Sequence, residues 1–211
     1  MIRAFRDIPA PHCGLGRFRR SEDGASLVEF SLVVGLVLLI FFAILDFGRI
    51  GYAFVMGQKA VQNAARMAAT RPAACNGLPP RHVLRNTQLA VDFGTSCSDA
   101  SAPCEPEAPV TCAGSAGNPT ALAIHAAVRP ILPPSVGVDG LTYSYTYDPG
   151  LGFLGGPYTP MVTVEMANAA VPMVSPLGNL MGLFTTYAQT PFQGDFALPT
   201  ISVSLPAESL E

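Results

Sequence analysis

Tryptophan is absent, histidine occurs three times, and charged side chains make up only 13% of the 211 residues. A soluble domain carries roughly 25% charge, so part of this chain avoids water, in keeping with its mean hydropathy of +0.36. Cations are scarcest where a nucleic-acid surface would need them. Beyond Arg71 there are three, Arg81, Arg85 and Arg129, against ten acidic residues from Asp92 to Glu211. Such a segment repels phosphate backbones and has no patch for counterion release, which excludes nucleic acid as an expected partner.

Catalytic apparatus is equally thin. His82 and His125 each stand alone, without a second histidine or a carboxylate at ligand spacing, and a lone histidine is more often a satisfied structural residue than a ligand. No G-x-S-x-G and no P-loop occurs, and the glycine-rich residues 150–156 (GLGFLGG) lack the strand-turn-helix context of a nucleotide site, so they are assigned to turns. Glu105 and Glu107 sit among Cys and Pro and read as a solvated acidic loop. The expectation is a protein that is not an enzyme, with no catalytic residue, no metal and no cofactor.

What is present begins with a long apolar run. Residues 30–45 (FSLVVGLVLLIFFAIL) carry no charge, and Ser31 is their one polar side chain. Counted from Ala25 to Leu45 the run gives about 31 Å of helix, roughly one hydrocarbon core. This puts Glu29 inside the membrane edge, where a carboxylate is costly and calls for a partner. A cleaved secretory signal fits poorly, because the run exceeds the usual apolar length and Asp46 and Arg49 follow it with no A-x-A site. Arg6, Arg17, Arg19 and Arg20 on one side barely outweigh Arg49, Lys59 and Arg66 on the other, favouring a cytoplasmic N-terminus.

Cysteines support that topology. Cys13 precedes the run, and Cys75, Cys97, Cys104 and Cys112 follow it in a stretch dense in Pro, Gly, Ser and Ala, with no CxxC pair. An even set of this kind favours structural disulfides in an oxidising compartment over a metal site. Four cysteines allow three pairings. The expected one joins sequence neighbours, Cys75 with Cys97 and Cys104 with Cys112, closing modest loops.

Residues 24–70 carry Gly24, then Val28, Glu29 and Phe30, the apolar run, Phe47, Gly48 and Arg49, and the segment AVQNAAR at 60–66. This ordered set resembles the TadE/TadG-like pilus-assembly proteins of tight-adherence (Flp, type IV) systems. Two positions depart from the family pattern, which often has Pro at the place of Gly35 and Gly-Ala-Arg where this chain has Ala64, Ala65 and Arg66. The resemblance implies a pseudopilin: a leader over residues 1–24, cut after Gly24 by a prepilin peptidase, leaving Ala25 first and Glu29 at the fifth mature position. It also implies partners, namely that peptidase, other pilins or pseudopilins, the inner-membrane pilus platform and membrane lipid. The alternative is a membrane-tethered envelope binding domain unrelated to pili, which would keep residues 17–24.

Downstream, the helix is expected to leave the membrane after residue 46 and continue over residues 47–71, since Pro72 is the first proline to interrupt it. Ala53, Gly57, Ala60, Ala64 and Ala68 form a small-residue stripe at steps of three and four. It packs either on the chain's own distal domain, the favoured reading, or on another subunit. Residues 72–211 read as a periplasmic or extracellular α+β domain. Expected within it are a short helix over residues 80–93 with Val83, Leu84, Leu89, Ala90 and Phe93 toward a core, and a helix over 121–129 begun by Asn118 and Pro119. Alternating strands are expected at 141–147, 160–167 and 200–205, with a short helix near 176–184. The fold class is α+β: one long N-terminal transmembrane helix extending into a small C-terminal domain with an antiparallel sheet.

Overall fold

The computed structural model of the chain describes residues 23–86, 90–174, 195–208 and 210. Its first element, α1, is a single α-helix over Asp23–Thr70, 48 residues long, about 72 Å at the usual rise. It runs unbroken through Gly35. A four-stranded antiparallel sheet follows, built from β1 (Val110–Ala113), β2 (Leu141–Thr146), β3 (Met161–Met166) and β6 (Ile201–Pro206) in the order β1-β2-β3-β6. Strands β4 (Ala170–Pro172) and β5 (Asp195–Ala197) form a separate antiparallel pair. Helix α2 (Pro119–Val128) precedes two 3-10 turns, Arg129–Ile131 and Val138–Gly140.

Period-two patterning accounts for the sheet. Leu141, Tyr143 and Tyr145 alternate with Thr142, Ser144 and Thr146, and the first set is fully buried. Opposite them stand Met166, Val164 and Val162, also fully buried, in register with β2. The other face carries hydroxyls, and a row of them crosses the whole sheet through Thr111, Ser144, Thr163 and Ser204. Its outer pairs are hydrogen-bonded, Thr111 to Ser144 at 3.0 Å and Thr163 to Ser204 at 2.7 Å, so each strand keeps one apolar and one wettable face.

The distal half of α1 lies against β3, β6 and α2. Ala60, Ala64 and Ala68 of the stripe are fully buried there, and a Cβ on Gly57 would lie 3.0 Å from Met166 Cε and 3.4 Å from Ile201 Cδ1. Small side chains allow the helix backbone close to the sheet, so the stripe packs on the chain's own domain. Ala64→Leu adds volume to a closed contact and is expected to destabilise the domain by about 1–3 kcal/mol. A urea midpoint unchanged from wild type would contradict that packing.

The chain leaves α1 under tight local control. Glu208 N–H donates to Ala69 O, occupying one of the helix's terminal carbonyls. Asn118, the N-cap of α2, accepts from Thr120 N–H and Ala121 N–H through Oδ1 and donates through Nδ2 to Ala74 O at 2.9 Å. Tyr145 Oη accepts from Ala74 N–H at 2.9 Å, and Cys75 is bonded to Cys112 on β1. The exit of α1 is thereby fixed to α2, β1 and β2 together.

Two expectations are corrected here. The disulfides are nested: Cys75 pairs with Cys112 and Cys97 with Cys104, not neighbour with neighbour. Asn118 and Tyr145 hold Ala74 beside β1, which brings Cys75 to Cys112, while a turn closes Cys97 onto Cys104. In that turn Asp99 N–H donates to Ser96 O, and Asp99 Oδ1 accepts from the backbone and hydroxyl of Ser101. The helix expected over 80–93 does not form among its described residues. Backbone groups of Arg81, His82, Leu84 and Gly94 pair instead with the 153–157 stretch and with Cys104. Accordingly Val83 and Phe93 are exposed, Phe93 by 83%, Ala90 is exposed and Leu84 is half-buried. Leu89 and the helix expected near 176–184 lie outside the described residues.

That pairing creates a second, smaller core of Cys97, Cys104 and Leu154, flanked by Leu84, Val91 and Tyr147. The glycine-rich loop organises it. Gly152, at φ +79°, faces the His82 imidazole so closely that a Cβ would collide with it.

Candidate functional site

The residues that the sequence marks for processing and assembly lie in the first turns of α1. Gly24, Ala25 and Glu29 are all exposed, and a Cβ on Gly24 would meet nothing within 4 Å. Among the described residues nothing therefore demands a glycine there. Ala25 and Glu29 are four residues apart on a continuous helix and share a face. An amine at Ala25 and the carboxylate of Glu29 would thus be neighbours within one chain.

Beyond them the helix is a bare apolar rod. None of its most apolar window is buried, and its length and composition allow it to cross a membrane. Leu27, Phe30, Leu32, Leu36, Phe41 and Ile44 are among the large side chains left exposed, far more than a soluble monomer presents in one patch. The single polar group in the run is satisfied internally, because Ser31 Oγ donates to Val28 O at 2.8 Å. Residues 24–70 match the family of TadE-like proteins. The helix is TadE-like. Family match and helix end together at Thr70, so the distal domain lies outside the match. No curated protein and no solved structure matches the chain.

Asp46 is a residue that sequence reasoning passed over. It directly follows the apolar run of the TadE-like helix, yet it is buried, and its Oδ1 accepts from Val174 N–H at 3.0 Å. The domain therefore reaches down the helix as far as the end of the run. A lone acid at the end of an apolar run is a faint sequence signal; its partner, 128 residues away, carries none.

The four distal cysteines are all disulfide-bonded. One ring nitrogen of His82 lies within 4.8 Å of the Cys97 and Cys104 sulfurs. With the disulfide formed neither sulfur is a thiolate, the form that ligates metals. His82 itself is buried, accepts from Thr159 N–H at Nε2, and lies beside Tyr158 with the rings tilted and their centroids 5.1 Å apart. Desolvation lowers its pKa, which favours the neutral ring. Burial likewise pushes the Tyr158 phenol up to about 12. These groups read as interior packing of the second core. His125 is half-buried on α2, its Nε2 3.3 Å from Val136 O, and is not brought near His82 by any contact described.

Proposed function

We propose that this chain is a pseudopilin, a minor pilin-like and non-enzymatic component for assembling a tight-adherence type IV pilus. The observation that carries the reading is the coincidence of the TadE-like match with a bare apolar helix that bears Glu29 four residues after Ala25. In this reading residues 1–24 are a cytoplasmic leader, residues 25–46 cross the inner membrane, residues 47–71 carry the helix outward, and the disulfide-bonded domain from residue 72 lies in the periplasm. A prepilin peptidase is the processing partner, acting between Gly24 and Ala25. Other pilins or pseudopilins and the inner-membrane platform are the assembly partners.

The freed α-amine of Ala25 would be cationic at neutral pH, its ordinary pKa being about 8. It could offset Glu29 in its own chain or in a neighbour, converting an expensive intramembrane charge into a register device. N-terminal sequencing of protein made alongside the matching peptidase is expected to read Ala25 first. An uncut chain in that host would favour the envelope-tethered binding domain instead.

A further inference from the structure

An apolar groove of about 510 Å³ opens between α1 and the distal domain where the apolar run ends. One wall is the α1 face from Ile44 to Met56; the other is the loop at residues 130–134 with Val171 and Pro172. Its depth relative to a bilayer follows from the helix. If Leu45 marks the hydrocarbon edge, Gly48 to Tyr52 stand about 5–10 Å above it at 1.5 Å per residue, which is the depth of the headgroup layer. The groove thus begins in hydrocarbon and rises into headgroups.

The domain's underside has matching chemistry. Asp46 holds the backbone of Val174 level with the hydrocarbon edge, and the Val174 side chain is 66% exposed. Pro130 and Pro134, which line the groove, are exposed at its opening. Arg49 lines the groove, and Arg129 stands beside Pro130, both exposed. The nearby acids are Asp46, engaged with Val174, and Asp195, exposed at the end of β5 opposite Pro172. An apolar surface with cations at headgroup height is the pattern of an interfacial anchor.

We propose that this groove is a phospholipid site: one acyl chain of the leaflet facing the domain lies between α1 and residues 130–134, with the lipid phosphate at Arg49. The underside of the domain then rests in the headgroup layer, and a lipid forms part of the seat that fixes the domain against the membrane. This rests on α1 spanning the bilayer.

Because the chain has no tryptophan, a single introduced one reports on its own surroundings. The full chain carrying Ile131→Trp is placed in nanodiscs at one copy per disc, with phospholipids brominated near the headgroup end of their acyl chains. Its emission is expected to shift to the blue and fall roughly twofold or more. Phe153→Trp, an exposed position in the loop paired with Ser96 and outside the groove lining, is expected to stay unquenched. Val174→Trp, replacing an exposed side chain, gives an independent reading if Ile131→Trp disturbs the wall. A chain that floats with the discs while both Ile131→Trp and Val174→Trp remain unquenched overturns the lipid site alone. Failure to float overturns the spanning reading and the lipid site together.

Discussion

Glu29→Gln is expected to leave cleavage after Gly24 and membrane insertion near wild type while lowering surface piliation and co-purification of partner pilins by roughly tenfold or more. Tenfold corresponds to about 1.4 kcal/mol, no more than a hydrogen bond to a charged group supplies, about 1.5–3 kcal/mol. Pairing with a cationic amine therefore has enough energy to account for the effect. Insertion should not suffer, because the amide carries no charge into the apolar layer. The proposed cleavage, between Gly24 and Ala25, is a full turn away on the exposed start of α1. Wild-type piliation by the Gln variant at matched protein level would reduce Glu29 to an interfacial residue with no part in assembly.

Loss of the Cys75–Cys112 bond is expected to cost more stability than loss of Cys97–Cys104. The two span 37 and 7 residues, and chain entropy alone gives about 3.8 and about 2.4 kcal/mol respectively. Position widens the difference. Cys75 lies just past the end of α1, and Cys112 lies on the edge strand β1, so this bond ties α1 to the sheet. The inner bond closes the second core only. Urea unfolding of the full chain with Cys75→Ala and Cys112→Ala, against Cys97→Ala and Cys104→Ala, checks the order. Non-reducing peptide mapping checks the pairing directly. A larger loss from the inner pair would show that the second core, rather than the helix exit, limits the domain.

How much of this was legible in the sequence depended on how local the determining physics was. Alternation at 141–147, 160–167 and 200–205 gave strands within a residue or two of β2, β3 and β6, because a half-buried strand writes its two faces in consecutive residues. Asn118 followed by Pro119 marked the start of α2, since a cap acts two or three residues away. Short strands β1, β4 and β5 escaped notice: three or four residues are too few for a period to show. Residues 80–93 misled for the opposite reason. Their apolar spacing suits a helix, but the backbone found partners in the glycine-rich loop some 70 residues on, a competition that propensity alone does not weigh.

By itself the sequence determined the long apolar helix, the small-residue stripe, the position of Glu29 in the first turns and the family likeness over residues 24–70. Each of these is a pattern read along one element, where neighbours in sequence are neighbours in space. Only the tertiary structure decided the nested disulfides, the burial of Asp46 against Val174 and the groove where α1 meets residues 130–134. Those features join segments separated by up to 128 residues. Which of the possible long-range partners meet is set by how the helix, the sheet and α2 pack around a shared core, and no local pattern records it.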